Sequence, residues 1–374
     1  MQNIRLLQLD GLRGLFSLMV VIYHFPYENE FAQINLTSNF LVRQGDLFVD
    51  FFFVLSGFVI SLNYIDRLDS GKSFGKYINA RFIRLYPLLL YTSLIFLAFE
   101  LTFNIFMPQM LAHPETVSEL LLETADTLLF LNATPALDVV GINYPSWSIS
   151  SEMISYIIFG LVIVFAGKMS RYALLLIAVL SGILLLYTGM YMQTYTWGFV
   201  RGLVCFITGA FTLMAFRKYG NRGIGSYWEY IIPVMLVALL YVRYHHLQGS
   251  ELFTLLTIPT FFGFAIYVYA VSSGPVVKVL SGRIFQYLGN ISYSMYLNHA
   301  IVMIVISKTA FNVIKLPVTE LNVTIVILAY LVCVIVYSHI TYNLIEIKGT
   351  KFLKQYPLFK NKNTVPTGDQ HSNV

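Results

Sequence analysis

Arg13 and His24 stand eleven residues apart. On a helix that separation is three turns plus about 20°, so the two share one face about 16.5 Å apart in depth, with Ser17 on the same stripe. Further polar groups interrupt apolar runs: Asp46 and Asp50 one turn apart; Ser148, Ser151, Glu152 and Ser155 at i, i+3, i+4, i+7 spacing; Arg201; and His299. A histidine paired with a carboxylate is a common apparatus for taking a proton from a hydroxyl, because the carboxylate orients the imidazole and stabilises its charged form. His24 with Asp50 or Glu152 fits that description and suits O-acyl transfer. Arg81 and Arg84 put two guanidinium groups on one helix face, a fork geometry suited to phosphate oxygens. Spacing alone leaves them equally readable as anchors at a membrane face. His245 and His246 flank a helix end and read as interfacial, and no zinc motif is evident.

The elements that must position these groups are membrane helices. The chain of 374 residues is 57% hydrophobic and 11% charged, against about 25% charged in soluble domains. Its 30 Phe, 26 Tyr and 3 Trp suit lipid-facing helices and interfacial belts. This composition excludes a secreted disulfide scaffold, a nucleic-acid-binding domain and a disordered chain. Cys205 and Cys333 lie in apolar runs and read as small apolar residues.

Charge-free stretches at 172–200, 252–277, 284–307 and 321–345 each exceed the roughly 20 residues needed to cross hydrocarbon. Six further segments, about 11–27, 46–65, 84–107, 147–166, 197–216 and 228–244, bring the expectation to an all-α polytopic bundle of about ten transmembrane helices. Lys and Arg test that count. With the N-terminus inside, all but Arg43, Arg201, Arg243, Lys308 and Lys315 fall in inner segments, which predicts cytoplasmic N- and C-termini. The net charge of +5 is therefore read first as topology. Asp10 and Arg13 interrupt the first apolar run, so it reads as a retained helix, not a signal peptide. Residues 1–347 are expected to form the bundle and 348–374 a basic, then polar, disordered cytoplasmic tail. In the long outer loop at 108–146, Glu119, Glu123 and Asp126 form a stripe opposite Leu121, Leu122, Leu128 and Leu129, with Glu115 and Asp138 nearby. This predicts a surface helix serving as a solvated cover.

An ionisable side chain within a span costs at least about 2.5 to 3.5 kcal/mol, so each is a functional candidate. In the expected topology His24, Asp50, Glu152, Arg201 and His299 come from five helices but one outer depth band. That coincidence predicts a shared, outward-facing polar site, while Arg13, Arg81 and Arg84 fall near the inner face.

The segments LDGLRGLFSLMVVIYH (9–24), FVDFFFVLSGFVI (48–60), RFIRLYP (81–87), PSWSISSE (145–152) and GNISYSMYLNH (289–299) resemble the acyltransferase-3 family of bacterial membrane acyltransferases. The resemblance runs through nearly the whole chain in the family's order. It implies O-acylation, usually O-acetylation, of an extracytoplasmic glycan from cytoplasmic acetyl-CoA, in a multi-pass protein of the bacterial inner membrane. The family's Arg-x10-His pair matches Arg13 and His24, its Arg-x-x-Arg pair Arg81 and Arg84, and its Ser-x-x-x-Glu element Ser148 and Glu152. On this resemblance Arg81 and Arg84 move toward coenzyme A binding. His24 becomes the base or transient acyl acceptor, with Asp50 or Glu152 orienting it, and Arg13 positions the donor. Trp147 could stack on a sugar ring, and Ser148, Arg201 and His299 contribute to the acceptor site. The expected partners are acyl-CoA, a carbohydrate acceptor and the lipid bilayer, with no permanently bound cofactor and no metal. Some relatives carry an added extracytoplasmic esterase-like domain; the expectation here is that the bundle suffices or a separate partner protein completes the reaction.

Two rivals remain at this level. A polysaccharide or lipid transporter or flippase also combines ten helices with midplane charges, although no pair of symmetry-related, Gly/Pro-interrupted spans stands out. An intramembrane serine protease is suggested by Ser56-Gly57. Ser56, however, lies six residues and about 9 Å deeper than Asp50, apart from the expected base.

Overall fold

In lipid every backbone N–H and C=O must be satisfied within its own segment, which forces apolar runs of this length into helices. The computed structural model describes residues 5–28, 38–106, 115–137, 141–220 and 223–356, and among them there is helix and no strand. The helices are α1 (Leu7–Glu28), α2 (Phe48–Tyr64), α3 (Gly71–Phe106), α4 (Val117–Leu128), α5 (Trp147–Ala166), α6 (Ser170–Thr188), α7 (Gly198–Tyr219), α8 (Trp228–His246), α9 (Glu251–Val271), α10 (Pro275–Leu280), α11 (Arg283–Ser307), α12 (Glu320–Thr341) and α13 (Lys348–Gln355). Among the described residues seven helical stretches are long and apolar enough to cross a membrane; one of them, Tyr144–Thr188, turns at Gly167 (φ +49°) into α5 and α6. The segments expected to span fall mainly on helix, with breaks at 189–197 and 272–274.

Two close helix contacts set the register of the bundle. A Cβ on Gly57 would stand 1.9 Å from the carbonyl oxygen of Phe206, and one on Gly209 the same distance from that of Val54. Only glycine lets α2 and α7 approach backbone to backbone, the usual use of small residues between membrane helices. Gly14 and Gly289 do the same for α1 and α11, where a Cβ on Gly289 would lie 2.3 Å from the carbonyl oxygen of Asp10. Down that seam Arg13 meets Gly289, Ser17 meets Ser292 and His24 meets His299. The numbers rise together, so α1 and α11 run parallel. Between α1, α2 and α9, Phe16, Phe48, Phe51 and Phe262 form an aromatic core with centroid separations of 4.4 to 5.8 Å.

Three elements depart from expectation. Helix α4 forms within the expected outer loop, its first turn fixed by a capping box between Thr116 and Glu119, but its acidic stripe is only partly outward: Glu119 is exposed, Glu123 half-buried and Asp126 buried. Leu120, Thr124, Asp126 and Thr127 are buried against the bundle, while Leu121, Leu122 and Leu129 are exposed. Leucines turned outward fit lipid and not water, so α4 is not a solvated cover. Asp138 lies outside the described residues. The stretch 252–277 breaks at Ser272; α10 follows, and the fully buried Glu229 accepts hydrogen bonds from the N–H groups of Gly274, Val276 and Val277 at its start. The first residues of the expected tail form α13, continuous with α12 through a π-helical turn at Tyr342–Ile347 and packed on α3. The rest of that tail, from residue 357, lies outside the described residues.

Candidate active site

The site residues occupy three levels of the bundle. At the first, near the C-terminal end of α1, the ring of His24 lies 4.7 Å from that of His299 and 5.5 Å from that of Tyr144, centroid to centroid. His24 Nδ1 is 2.9 Å from the carbonyl oxygen of Val20, and His299 Nδ1 is 2.6 Å from that of Tyr296. A carbonyl only accepts, so both Nδ1 atoms carry a proton, and in the neutral rings both Nε2 atoms present a lone pair. His299 is completely buried, and its Nε2 has no hydrogen-bond partner among the described residues. One helical turn away the hydroxyl of Ser148 donates to that of Tyr296 at 2.8 Å, tying α5 to α11.

At the second level, about 6 Å further along α5 than Ser148, Glu152 Oε1 accepts from Ser56 Oγ at 2.5 Å and also from the Tyr156 hydroxyl. Ser56 and Tyr156 are themselves 2.9 Å apart. Both donors fall on one carboxylate oxygen of a half-buried residue.

The third level is basic. The hydroxyl of Tyr64 accepts from Arg81 at 3.1 Å, and the Tyr64 ring lies 5.3 Å from the same guanidinium. Arg13 donates to the Gly289 carbonyl at 2.8 Å and lies 3.5 Å from Asp10. Arg84 makes no hydrogen bond or ion pair with the described residues, and it combines a deep position with an exposed side chain. Its electrostatic neighbours are Glu346, Tyr156, Glu152 and Tyr293. The second and third levels thus belong to one polar region. Tyr293, Tyr296 and His299, three residues apart along α11, run beside all three levels.

Two sequence-derived members stand elsewhere. Asp50 and Arg201 form a fully buried ion pair at 2.6 Å, completed by the Tyr191 hydroxyl on Asp50 (3.0 Å) and the Asp46 carbonyl on Arg201 (3.1 Å). Arg201 also lies over the rings of Trp147 (5.7 Å) and Tyr191 (5.2 Å). A charge withdrawn from water must find its counter-charge, and Asp50 finds it on α7 and not at His24. Trp147 is 7% exposed, enclosed by Arg201, Phe53 and Gly198, so its ring is taken up in packing. The partner that orients His24 is a backbone carbonyl; Glu152 is bound to Ser56 and Tyr156 instead. The single outer depth band resolves into the His24–His299 level, the Glu152 level and the separate Asp50–Arg201 pair.

Ser56, Tyr156, Tyr293, Tyr296 and Glu346 were not singled out as site residues from the sequence. Tyr156 was within reach, being one turn from Glu152 on the same stripe. The depth of Ser56 relative to Asp50 separates it from the expected base, but the carboxylate that Ser56 meets is Glu152. Among the described residues no group of three His, Cys, Asp or Glu is placed to hold a metal ion.

Residues 6–341 match the model of a family described as an acyltransferase domain, Acyl_transf_3. The chain is 34% identical over 163 residues to "Acyltransferase MdmB" of Streptomyces mycarofaciens, covering 42% of this chain and 39% of that protein. It is 30% identical over 163 residues to "Protein 2 in picA locus" of Rhizobium radiobacter, covering 40% of this chain and 78% of that protein. The match thus spans about two fifths of the length of MdmB. No solved structure shows significant similarity to the chain.

Proposed function

The chain belongs to the acyltransferase-3 family, and on that premise we propose that this membrane acyltransferase moves an acyl group, acetyl above all, from cytoplasmic acyl-CoA to a hydroxyl of an extracytoplasmic glycan of the bacterial cell envelope. The observation that carries the reading is the chain of polar groups from Arg84, unpaired among the described residues, past Glu152, to His24, whose Nδ1 is taken by a backbone carbonyl. The basic level is the cytoplasmic end and receives the phosphates of the donor, with Arg84 as their open guanidinium and Arg13 and Arg81 beside it. The pantetheine arm extends between the helices toward His24.

At the far end His24 Nε2 takes the proton of the acceptor hydroxyl as its oxygen bonds to the acyl carbon. The carbon–sulfur bond then breaks, and the proton passes from His24 to the departing thiolate, leaving an ester and free coenzyme A. The bond from Nδ1 to Val20 fixes the tautomer, placing the proton of the neutral ring on Nδ1 and leaving Nε2 as the acceptor, the orienting role a carboxylate plays in other sites. A peripheral glycan and a lipid-linked one meet the same chemical requirement, a hydroxyl that reaches His24.

The test is transfer in liposomes. Purified protein with radiolabelled acetyl-CoA and an envelope glycan extract should place alkali-labile label on the glycan, and His24→Ala should place none. Glycan movement across the bilayer without acetyl-CoA consumption would favour a transporter instead.

A further inference from the structure

The unassigned feature nearest the donor level is the segment after α12. Pro87 lies inside α3 and has no N–H, so the helix cannot satisfy the carbonyl of Ile83 four residues earlier. Thr350 Oγ1 on α13 donates to that carbonyl at 3.3 Å. Gly349 sits against the Pro87 ring so closely that a Cβ there would stand 2.7 Å from the proline Cβ. Tyr293 adds a bond from α11 to the Leu85 carbonyl at 2.8 Å. These contacts frame Arg84 at residues 83, 85 and 87, and they fix the π-helical turn that carries Glu346.

Glu346 is directed inward. Ser294 Oγ, completely buried on α11, donates to its Oε2 at 2.8 Å. It is the foremost electrostatic neighbour of Arg84 and also acts on Arg13. Yet it forms no ion pair with either, and the ion pair of Arg13 is to Asp10. A carboxylate held by a serine, near two guanidinium groups but bonded to neither, acts through its field. It leaves the donor hydrogen bonds of Arg84 open while lowering the positive potential that any anion entering there meets. Glu346 also lies beyond the residues matched by the family model.

We propose that Glu346, held in place by the α13 dock at Pro87, is a built-in counter-charge of the Arg13 and Arg84 site that weakens retention of coenzyme A and so sets product release. This rests on the donor reading given above. Coenzyme A leaves still carrying its phosphates, so a purely basic site would hold product as firmly as donor. A fixed negative charge lowers the affinity for both without removing the contacts that orient the arm.

The experiment is calorimetric binding of coenzyme A to the full chain in nanodiscs, with acyl transfer measured in parallel. Glu346→Gln keeps the shape and a bond to Ser294, and should bind coenzyme A about tenfold more tightly, with KM for the donor and kcat falling together. Glu346→Asp keeps the charge and should stay near native affinity. Unchanged or weaker binding by a monodisperse Glu346→Gln protein overturns the inference, because a purely structural carboxylate or one that positions Arg84 gives that result. If native protein fails to bind coenzyme A, and Arg84→Ala is no different, the donor reading falls and takes this inference with it.

Discussion

His24 and His299 face each other at 4.7 Å between ring centroids, and each is bound through Nδ1 to a carbonyl of its own helix. Two imidazoles with their Nε2 atoms turned from those carbonyls form a basic pocket, and among the described residues no carboxylate is bonded to either ring. His24→Ala should lower transfer by about a hundredfold or more, the usual contribution of a general base. His299→Phe, which fills the same space, should lower kcat and leave donor affinity unchanged. Single-turnover transfer alongside coenzyme A binding separates the two effects, and normal transfer by His24→Ala would remove it from the chemistry.

Glu152 should be needed for transfer, and Ser56 should act through it. Both Ser56 and Tyr156 bind Oε1, which fixes the direction of the carboxylate. Glu152→Gln is expected to abolish transfer in a folded protein. Ser56→Ala is expected to cost about tenfold in kcat, and Ser56→Thr to recover most of it. Combining Ser56→Ala with Glu152→Gln should add nothing to Glu152→Gln alone, and an additive loss would show that the two act separately.

The Asp50–Arg201 pair should govern stability. Removing one member of a fully buried pair leaves an uncompensated charge, at a cost of about 3 to 5 kcal/mol. Asp50→Asn and Arg201→Met should each lower the thermal midpoint in detergent, and the double variant should lose less than the two single losses combined. Loss of transfer by Asp50→Asn at native thermal stability would return Asp50 to the catalytic group.

Outside the spans, α4 should respond to pH. Glu123 is pushed up to about 7 by burial first, then by Glu115, Glu100, Asp126 and Glu119, and burial pushes Asp126 up to about 6. Both bind a proton more tightly folded than unfolded, so their protonated forms favour docking. That advantage is present below about pH 4 and is lost as pH rises through 6 and 7. Amide exchange in Val117–Leu128 should therefore quicken between pH 5 and pH 8 after correction for intrinsic rates. Glu123→Gln should flatten the change, and an equal pH dependence in that variant would dismiss Glu123 as its source.

The sequence by itself determined the helical membrane bundle and the stripes its helices carry. Those properties follow from local composition and the 3.6-residue period: Arg13, Ser17 and His24 fall on one face of α1 whatever lies opposite. Depth along a helix is legible for the same reason. What only the tertiary structure decided is which stripe faces which. Asp50 and Glu152 are both carboxylates in the first turns of apolar helices, and nothing local distinguishes the one that takes Arg201 from the one that takes Ser56 and Tyr156. The rotation of α2 settles it, fixed where Gly57 and Gly209 let α2 and α7 touch through their backbones. The burial of Asp126 and the exposure of Leu121 and Leu122 on α4 have the same origin, since periodicity defines two faces and only the neighbours decide which residues are inside. Glu346 enters the basic level because Pro87, 259 residues earlier, leaves a carbonyl for Thr350 to fill. Such a match between two distant backbone sites is written in no window of the sequence.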